Sequence, residues 1–530
     1  MKVTISIAAL VLGTGVVAQE PVYRWGAPAT NDHTERRIEQ LLSLGDQGFV
    51  LLRTAEDATT VKHYWLEHYD GTLRQTGTQA VLFNGGVMGD AFFLDAVRSI
   101  NGALFAMVSH WDKAAGEHSL AMHTLGSDGV LGEGRVLDVI KAEKMGNRGN
   151  FITAFSPDGN KLLVLSELPF EKKAMEQVRL TCLSLPKYEQ LWQQEKTLEW
   201  EADRGARNEV VLDNAGHAYL FKETWQKPAW EYALYAVDGT GGWKAHRPAG
   251  LPGKQVEDHR MAIGPDGNCY LFALYTTEPS AYNKTVHGSW YARFASNGSL
   301  ALDRVEPLTR DMVADLSGNG VADKEAGGQV DDLDIKDILY SKDGKFLVLL
   351  EQMESSSKMV AGSSPIQFTY GWDYRDAVAL CVEPRSGEPQ WWQHVEKHQE
   401  LRSNTSVDEY GSFVYHLKED RLYVLWNNTD LSVPSIPAAN WTEPDGTRYV
   451  KNKAFDSKTV HATFMQVIEP DGALAYADRK FGLPLFHLHE GAVFEMSLTT
   501  PFFFDLHGDL VVLAMMHNGG KRYRFGFIGL

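Results

Sequence analysis

The chain has 530 residues and a formal net charge of -18, with 69 acidic against 51 basic side chains. Such a surface repels nucleic acid and anionic lipid at long range, and no Lys/Arg-rich patch offsets it, so nucleic acid is excluded as a partner. A chain this long folds without disulfide staples, and Cys182, Cys269 and Cys381 are spaced too widely for a zinc-ribbon site, so they read as buried free thiols.

Met1-Lys2, the apolar stretch Val3 to Val17 and the cut position at Ala18 read as a secretory signal peptide over 1–18. The stretch is shorter than the ~20 residues that a bilayer requires and is interrupted by Gly13, Thr14 and Gly15. The expectation is a secreted, periplasmic or cell-surface protein of residues 19–530 with no integral membrane segment.

From residue 46 onward an apolar run, a short turn and a second apolar run recur. The turns are Asp46 to Gly48, Asn101-Gly102, Asp158-Gly159, Asn214 to Gly216, Asp266-Gly267, Asp343-Gly344, Glu419 to Arg421 and His507-Gly508. Seven units add a second pair of strands around turns such as Tyr69-Asp70-Gly71, Asp238-Gly239 and Asp471-Gly472. The second strand of each unit, for example Leu162 to Leu165 or Phe346 to Leu350, is apolar without alternation, so both of its faces are buried. Repetition of a four-strand module predicts an all-β, eight-bladed β-propeller of antiparallel blades, with seven blades as the alternative. The last unit ends after three strands. Pro21 to Trp25 resembles the outer strands Gln190-Leu191-Trp192 and Gln390-Trp391-Trp392, so the N-terminal strand is expected to complete the last blade and remove an open sheet edge.

The stretches Leu183 to Trp192, Ala236 to Trp243 and Val382 to Trp391 carry an acidic residue, a small turn, Gly and then Trp. They resemble the repeat of quinoprotein-like propellers, and the Asp-Gly turns resemble those of WD40-like propellers. The likeness implies the fold. The adjacent cysteines that quinoprotein enzymes place near their cofactor have no counterpart here.

Repeat spacing is even from Gly48 to Gly267 and then widens, which locates insertions at 311–334, 351–376 and 427–459. In a propeller these connections emerge on one face, and long loops on a rigid scaffold commonly carry function. Phe368, Tyr370, Trp372, Tyr374, Trp441 and Tyr449 lie in the last two insertions. Equivalent connections of units four and five add Trp225, Trp230, Tyr275 and Tyr282. Aromatic rings there offer stacking surfaces for sugars or anchors for a protein. The same face carries the starts of the innermost strands, where charges recur, among them Arg207, His259 and Arg260.

Asp315, Ser317, Asn319, Val321 and Asp323, with Gly320 at the sixth position, have the alternate-ligand spacing of a Ca²⁺ loop and resemble the start of an EF-hand or dockerin-like loop. Position twelve is Ala326, so Asp331 or Asp332 would have to supply the last ligand. Gly-x-Ser-x-Gly, Walker and His-Glu-x-x-His motifs are absent. The functional expectation is a binding module for a protein or glycan partner, acting through the insertion-bearing face. The alternative is a polysaccharide-active lyase or glycosidase using His259, Arg260, Arg207 and Tyr410 at the channel mouth.

Overall fold

A computed structural model describes residues 22–530 apart from 28, 31–36, 57–61, 84–85, 88–91, 101, 203–206, 228, 241, 249, 279–283, 317–327, 361–367, 404–410, 429–461, 479–481, 487, 490–492, 497–502, 507–508 and 517–521. Among the described residues the chain forms eight antiparallel sheets of four or more strands. We number them 1 to 8. Their first strands begin at Arg37, Phe92, Asn150, Arg207, Gln255, Leu333, Val414 and Val493.

The second and third strands form each sheet's core, as the unbroken apolar runs require. Leu162, Leu163, Val164 and Leu165 are all fully buried, two on each face, because a neighbouring sheet covers either side. The Gly48 turn shows why these turns are short and glycine-bearing. Its φ is +102°, and a Cβ there would fall 2.1 Å from the Tyr69 carbonyl oxygen.

Apolar clusters join every sheet to the next. Sheets 1 and 2 share Val50, Leu66, Val97 and Val108, whereas sheets 2 and 3 share Met107, Leu120, Leu162 and Val164. Leu165, Leu180, Leu220 and Tyr235 join sheets 3 and 4, and Phe221, Leu234, Leu271 and Trp290 join sheets 4 and 5. Phe272, Leu274, Val348 and Leu380 join sheets 5 and 6, and a larger cluster around Leu349, Trp426, Met465 and Val512 spans sheets 6, 7 and 8. The last cluster returns to the start, packing Val511, Phe525 and Phe527 of sheet 8 on Leu41, Phe49 and Leu51 of sheet 1. The layout is propeller-like.

The N-terminal strand Val22–Trp25 pairs with Arg522–Gly529, Val22 opposite Gly529 and Trp25 opposite Gly526, as the sequence predicts. The buried Arg524 guanidinium donates to the Gly26 carbonyl at 2.7 and 3.0 Å. On sheet 1 Arg53 pairs with Glu67 at 2.5 Å, and across the seam Tyr523 donates its hydroxyl to Glu67 at 2.9 Å while lying 2.7 Å from the Tyr69 hydroxyl. The three cysteines are buried and free. No described helix is long and apolar enough to cross a membrane.

Two details differ from the sequence reading. The segment 351–376 is mostly not a loop: Phe346–Met359 and Phe368–Val382 run as one long hairpin that projects beyond sheet 6. In sheet 8 the strand Asp509–Met516 is partnered by two short strands, Val493–Met496 and Phe503–Leu506, rather than by one.

Candidate binding face and its charged centre

Two small pairings set hairpin ends of sheets 5 and 6 beside the connectors that lead between sheets. Thr285 and Val286, between the second and third strands of sheet 5, pair with Asp331 and Val330, which lead into sheet 6. Gln399–Ser403, which follow the last strand of sheet 6, pair with Tyr370 to Tyr374 of its hairpin. Hairpin tips and connectors therefore emerge side by side.

The long hairpin of sheet 6 carries an aromatic row. Alternate residues of a strand share a face, so Phe368, Tyr370, Trp372 and Tyr374 line up. Ring centroids of Phe368 and Tyr370 are 6.3 Å apart, and those of Tyr370 and Trp372 are 6.2 Å apart with planes inclined by 24°. Toward the tip, Phe368 is 43% exposed and Met359 63% exposed. At the base, the Lys397 ammonium lies 5.6 Å from the Tyr374 ring centroid, so Tyr374 belongs to the buried end of the row.

A cavity of about 410 Å³ opens beside the row, lined by Tyr370, Trp372, Asp373, His398, Glu400 and Glu354 among others. Asp373 is fixed by His398 Nε2 at 3.0 Å and Arg375 Nε at 2.9 Å, and these partners hold its carboxyl below the ordinary value. On sheet 4, Trp225 and Trp230 stand directly opposite each other near the hairpin tip with centroids 5.5 Å apart and planes near perpendicular, and Trp225 is 43% exposed. Tyr275, expected in a loop, is buried in sheet 5. Trp441, Tyr449, Tyr282 and Tyr410 lie outside the described residues.

The inner-strand charges are distributed over both faces of their strands. His259 Nε2 lies 3.0 Å from Glu209 Oε2, and its ring packs 4.2 Å from that of Phe221, toward sheet 4. Arg260 is opposite Phe272, which packs toward sheet 6, so its side chain projects from the other face of the strand. Arg207 begins its strand opposite Glu223 and is exposed. The three residues do not converge on one pocket.

Several inner-strand acids instead tie one sheet to the next. Glu209 accepts the Met261 N–H at 3.1 Å, Asp258 accepts the Ile335 N–H at 2.7 Å, and Asp337 accepts the Tyr415 hydroxyl. Charges at these positions thus supply hydrogen bonds between sheets as well as polar lining.

The inner-strand reading covered Asp258 and Asp334 but did not single out Glu223 and Glu351, which join them in a group of carboxyls across sheets 4 to 6. Burial pushes Glu223 up, opposed by Arg207 and His259. Burial also raises Glu257, opposed by Lys284 and reinforced by Glu223 and Asp334. Asp334 is raised by burial and by Asp258 although it pairs with Lys284. Register shifts leave Glu257 and Lys336 on bulges, which re-aim a side chain relative to plain alternation. Deeper still, fully buried Glu351 meets Lys397 at 2.6 Å, Lys336 at 2.9 Å and the Ser412 hydroxyl at 2.7 Å; burial alone would raise its pKa, but the two ammonium groups hold it below the ordinary value. A polar triplet, Lys222-Glu223-Thr224, closing an apolar run was the one available signal.

Of the Ca²⁺ candidates, Asp315 sits exposed in the last turn of a short helix, Arg310–Leu316, and Ser317, Asn319, Val321 and Asp323 lie outside the described residues. Among the described residues no group of three or more His, Cys, Asp or Glu is placed to hold a metal.

No protein-family model matches this sequence, and no curated protein matches it. Among solved structures it is similar to the WD40 domain of SCAP from fission yeast, with 10% identity and a TM-score of 0.36 over 96% of this chain and 98% of that one. It is similar too to the β-propeller domain of the Trilobed protease from Pyrococcus furiosus, with 9% identity and a TM-score of 0.31 over 72% and 95%. A third is the alpha-L-arabinanase of Penicillium chrysogenum, with 8% identity and a TM-score of 0.28 over 55% and 89%. The fold class is that of β-propeller and WD40 domains. That statement rests on this chain's own sheets, and likeness of this degree says nothing of function.

Proposed function

We propose that this protein is an exported binding module that takes a glycan on the face bearing the sheet 6 hairpin. The single observation that carries the reading is the row of exposed Phe368 and half-buried Tyr370 and Trp372 beside a cavity whose polar groups, Asp373, His398 and Glu400, are suited to sugar hydroxyls. Half-buried aromatic rings in register on a braced hairpin lose little freedom on binding, which favours a surface built for contact. A glycan array probed with the purified protein and with Trp372→Ala tests it: loss of signal in the variant supports glycan binding, and an array without hits turns attention to a protein partner, captured by the same rings.

The architecture behind this reading is an eight-bladed ring closed by the N-terminal strand. Support comes from eight sheets packed in sequence, with the last on the first. Export rests on the N-terminal signal-like segment. Ca²⁺ bound by Asp315, Ser317, Asn319, Val321 and Asp323 would stiffen the 311–334 insertion, and a melting temperature that rises with calcium in the protein but not in Asp315→Ala is the check.

A rival reading, a polysaccharide-active enzyme, draws support from the carboxyls Glu223 and Glu257, which burial shifts upward, the direction a general acid requires. Turnover on an acidic polysaccharide panel that disappears in Glu223→Gln would favour it.

A further inference from the structure

A second cavity, of about 450 Å³, opens between sheets 3 and 4, on sheets other than those of the aromatic hairpin. The turn around Met145 to Gly149, the end of a strand at Glu167, the segment after it and Asn208 of sheet 4 form its walls. These walls are braced. Asn147 donates its side-chain amide to the Phe170 carbonyl at 2.9 Å and accepts the Phe170 N–H at 2.9 Å. Gly149, at φ +80°, allows the turn to approach closely, since a Cβ there would fall 2.3 Å from the Glu167 carbonyl oxygen.

Inside, the Glu167 carboxylate is gripped by two neutral amides. Asn208 Nδ2 donates to Oε1 at 2.5 Å and Asn150 Nδ2 donates to Oε2 at 3.2 Å. Among the described residues no cation pairs with Glu167. Two cations beside it, Lys222 and Arg148, are engaged elsewhere. Lys222, fully buried, pairs with Glu176 at 2.5 Å. Arg148 donates to the Met145 carbonyl at 3.3 Å and lies over the Phe93 ring of sheet 2, 5.2 Å from its centroid. In addition, Asn208 Oδ1 is buried and accepts no hydrogen bond from the protein.

The amides orient the carboxylate without neutralising it, and a buried carbonyl oxygen without a donor is costly. The cavity therefore presents a fixed carboxylate that no described cation neutralises, and its volume is in the range of small-ligand sites. Leu168, Pro169 and Met175 give its wall an apolar stretch. We propose that this cavity binds a small ligand through a primary ammonium group seated on Glu167. An ammonium has three donors and no acceptor, which matches a carboxylate. A free diamine and an amino sugar present the same group.

The test is calorimetric titration of the whole purified protein with 1,5-diaminopentane and with glucosamine, beside the uncharged 1,5-pentanediol and glucose. At least one amine binds and its uncharged partner does not; diamine alone or amino sugar alone identifies the source. Glu167→Gln keeps the shape and an acceptor oxygen but loses the charge, and weakens binding about tenfold or more. Trp372→Ala leaves it unchanged, so failure here is separable from failure of the hairpin reading. Should Glu167→Gln fold poorly, Asn150→Ala removes one of the two grips and weakens amine binding about threefold. Absence of binding by both amines, equal binding of an alcohol, or undiminished binding by a folded variant would overturn the proposal.

Discussion

Two regions of this protein are rich in aromatic rings, and they have opposite fates. At the seam between sheets 8 and 1, Phe49, Tyr69, Tyr523 and Phe525 are buried, with Phe49 and Tyr69 stacked at 4.9 Å and the tyrosine hydroxyls spent on each other and on Glu67. On the sheet 6 hairpin, Phe368, Tyr370 and Trp372 form an equally regular row, but they stay half-buried to exposed. Aromatic content alone therefore marks neither core nor function. What separates the two is whether a further layer is present and whether the polar atoms already have partners.

The seam is where the largest effect is expected. Trp25→Ala removes a buried side chain from the clasping strand and should cost about 3 to 5 kcal/mol, a large part of a typical ~5 to 15 kcal/mol, read by denaturant melting. An unchanged midpoint would contradict a clasping role for residues 22–25. At the tip, Trp372→Ala should lower partner affinity by about 2 kcal/mol while moving the midpoint by less than about 1 kcal/mol. Equal damage to stability and binding would place this ring with the seam, as core.

A smaller effect separates structural from strained charge. Glu223 has a folded pKa above its ordinary 4.5, so the ionised form is disfavoured in the fold. Its contribution is fully present below the unfolded value and is lost as pH rises through the folded one. Glu223→Gln should therefore raise the melting temperature at pH 7 by about 1 to 2 °C and give no gain below pH ~4. A destabilised variant at neutral pH would mean that the ionised carboxylate is needed, as an ion-pair partner of Arg207 or His259.

Much of the fold was legible because middle strands buried on both faces leave uninterrupted apolar runs between Gly-bearing turns. The missing fourth strand of the last unit pointed to Val22–Trp25, which the pairing with Arg522–Gly529 bears out. The hairpin was less legible. Glu354-Ser355-Ser356-Ser357-Lys358 has little strand propensity, and its order comes from pairing with Phe368 to Asp373, themselves paired to Gln399–Ser403. The charged centre was less legible for a geometric reason: His259 and Arg260 are neighbours in sequence, yet strand alternation sends them to opposite faces, and the bulge at Glu257 shifts the phase of what precedes them. Glu167 and its two asparagines come from two sheets, and no sequence pattern links them.

The most direct test of the account is a titration of one glycan or protein hit into the protein and into the double variant Tyr370→Ala/Trp372→Ala, with melting temperatures measured alongside. The account predicts near-complete loss of binding with the fold intact. Retained binding in a folded double variant would contradict it.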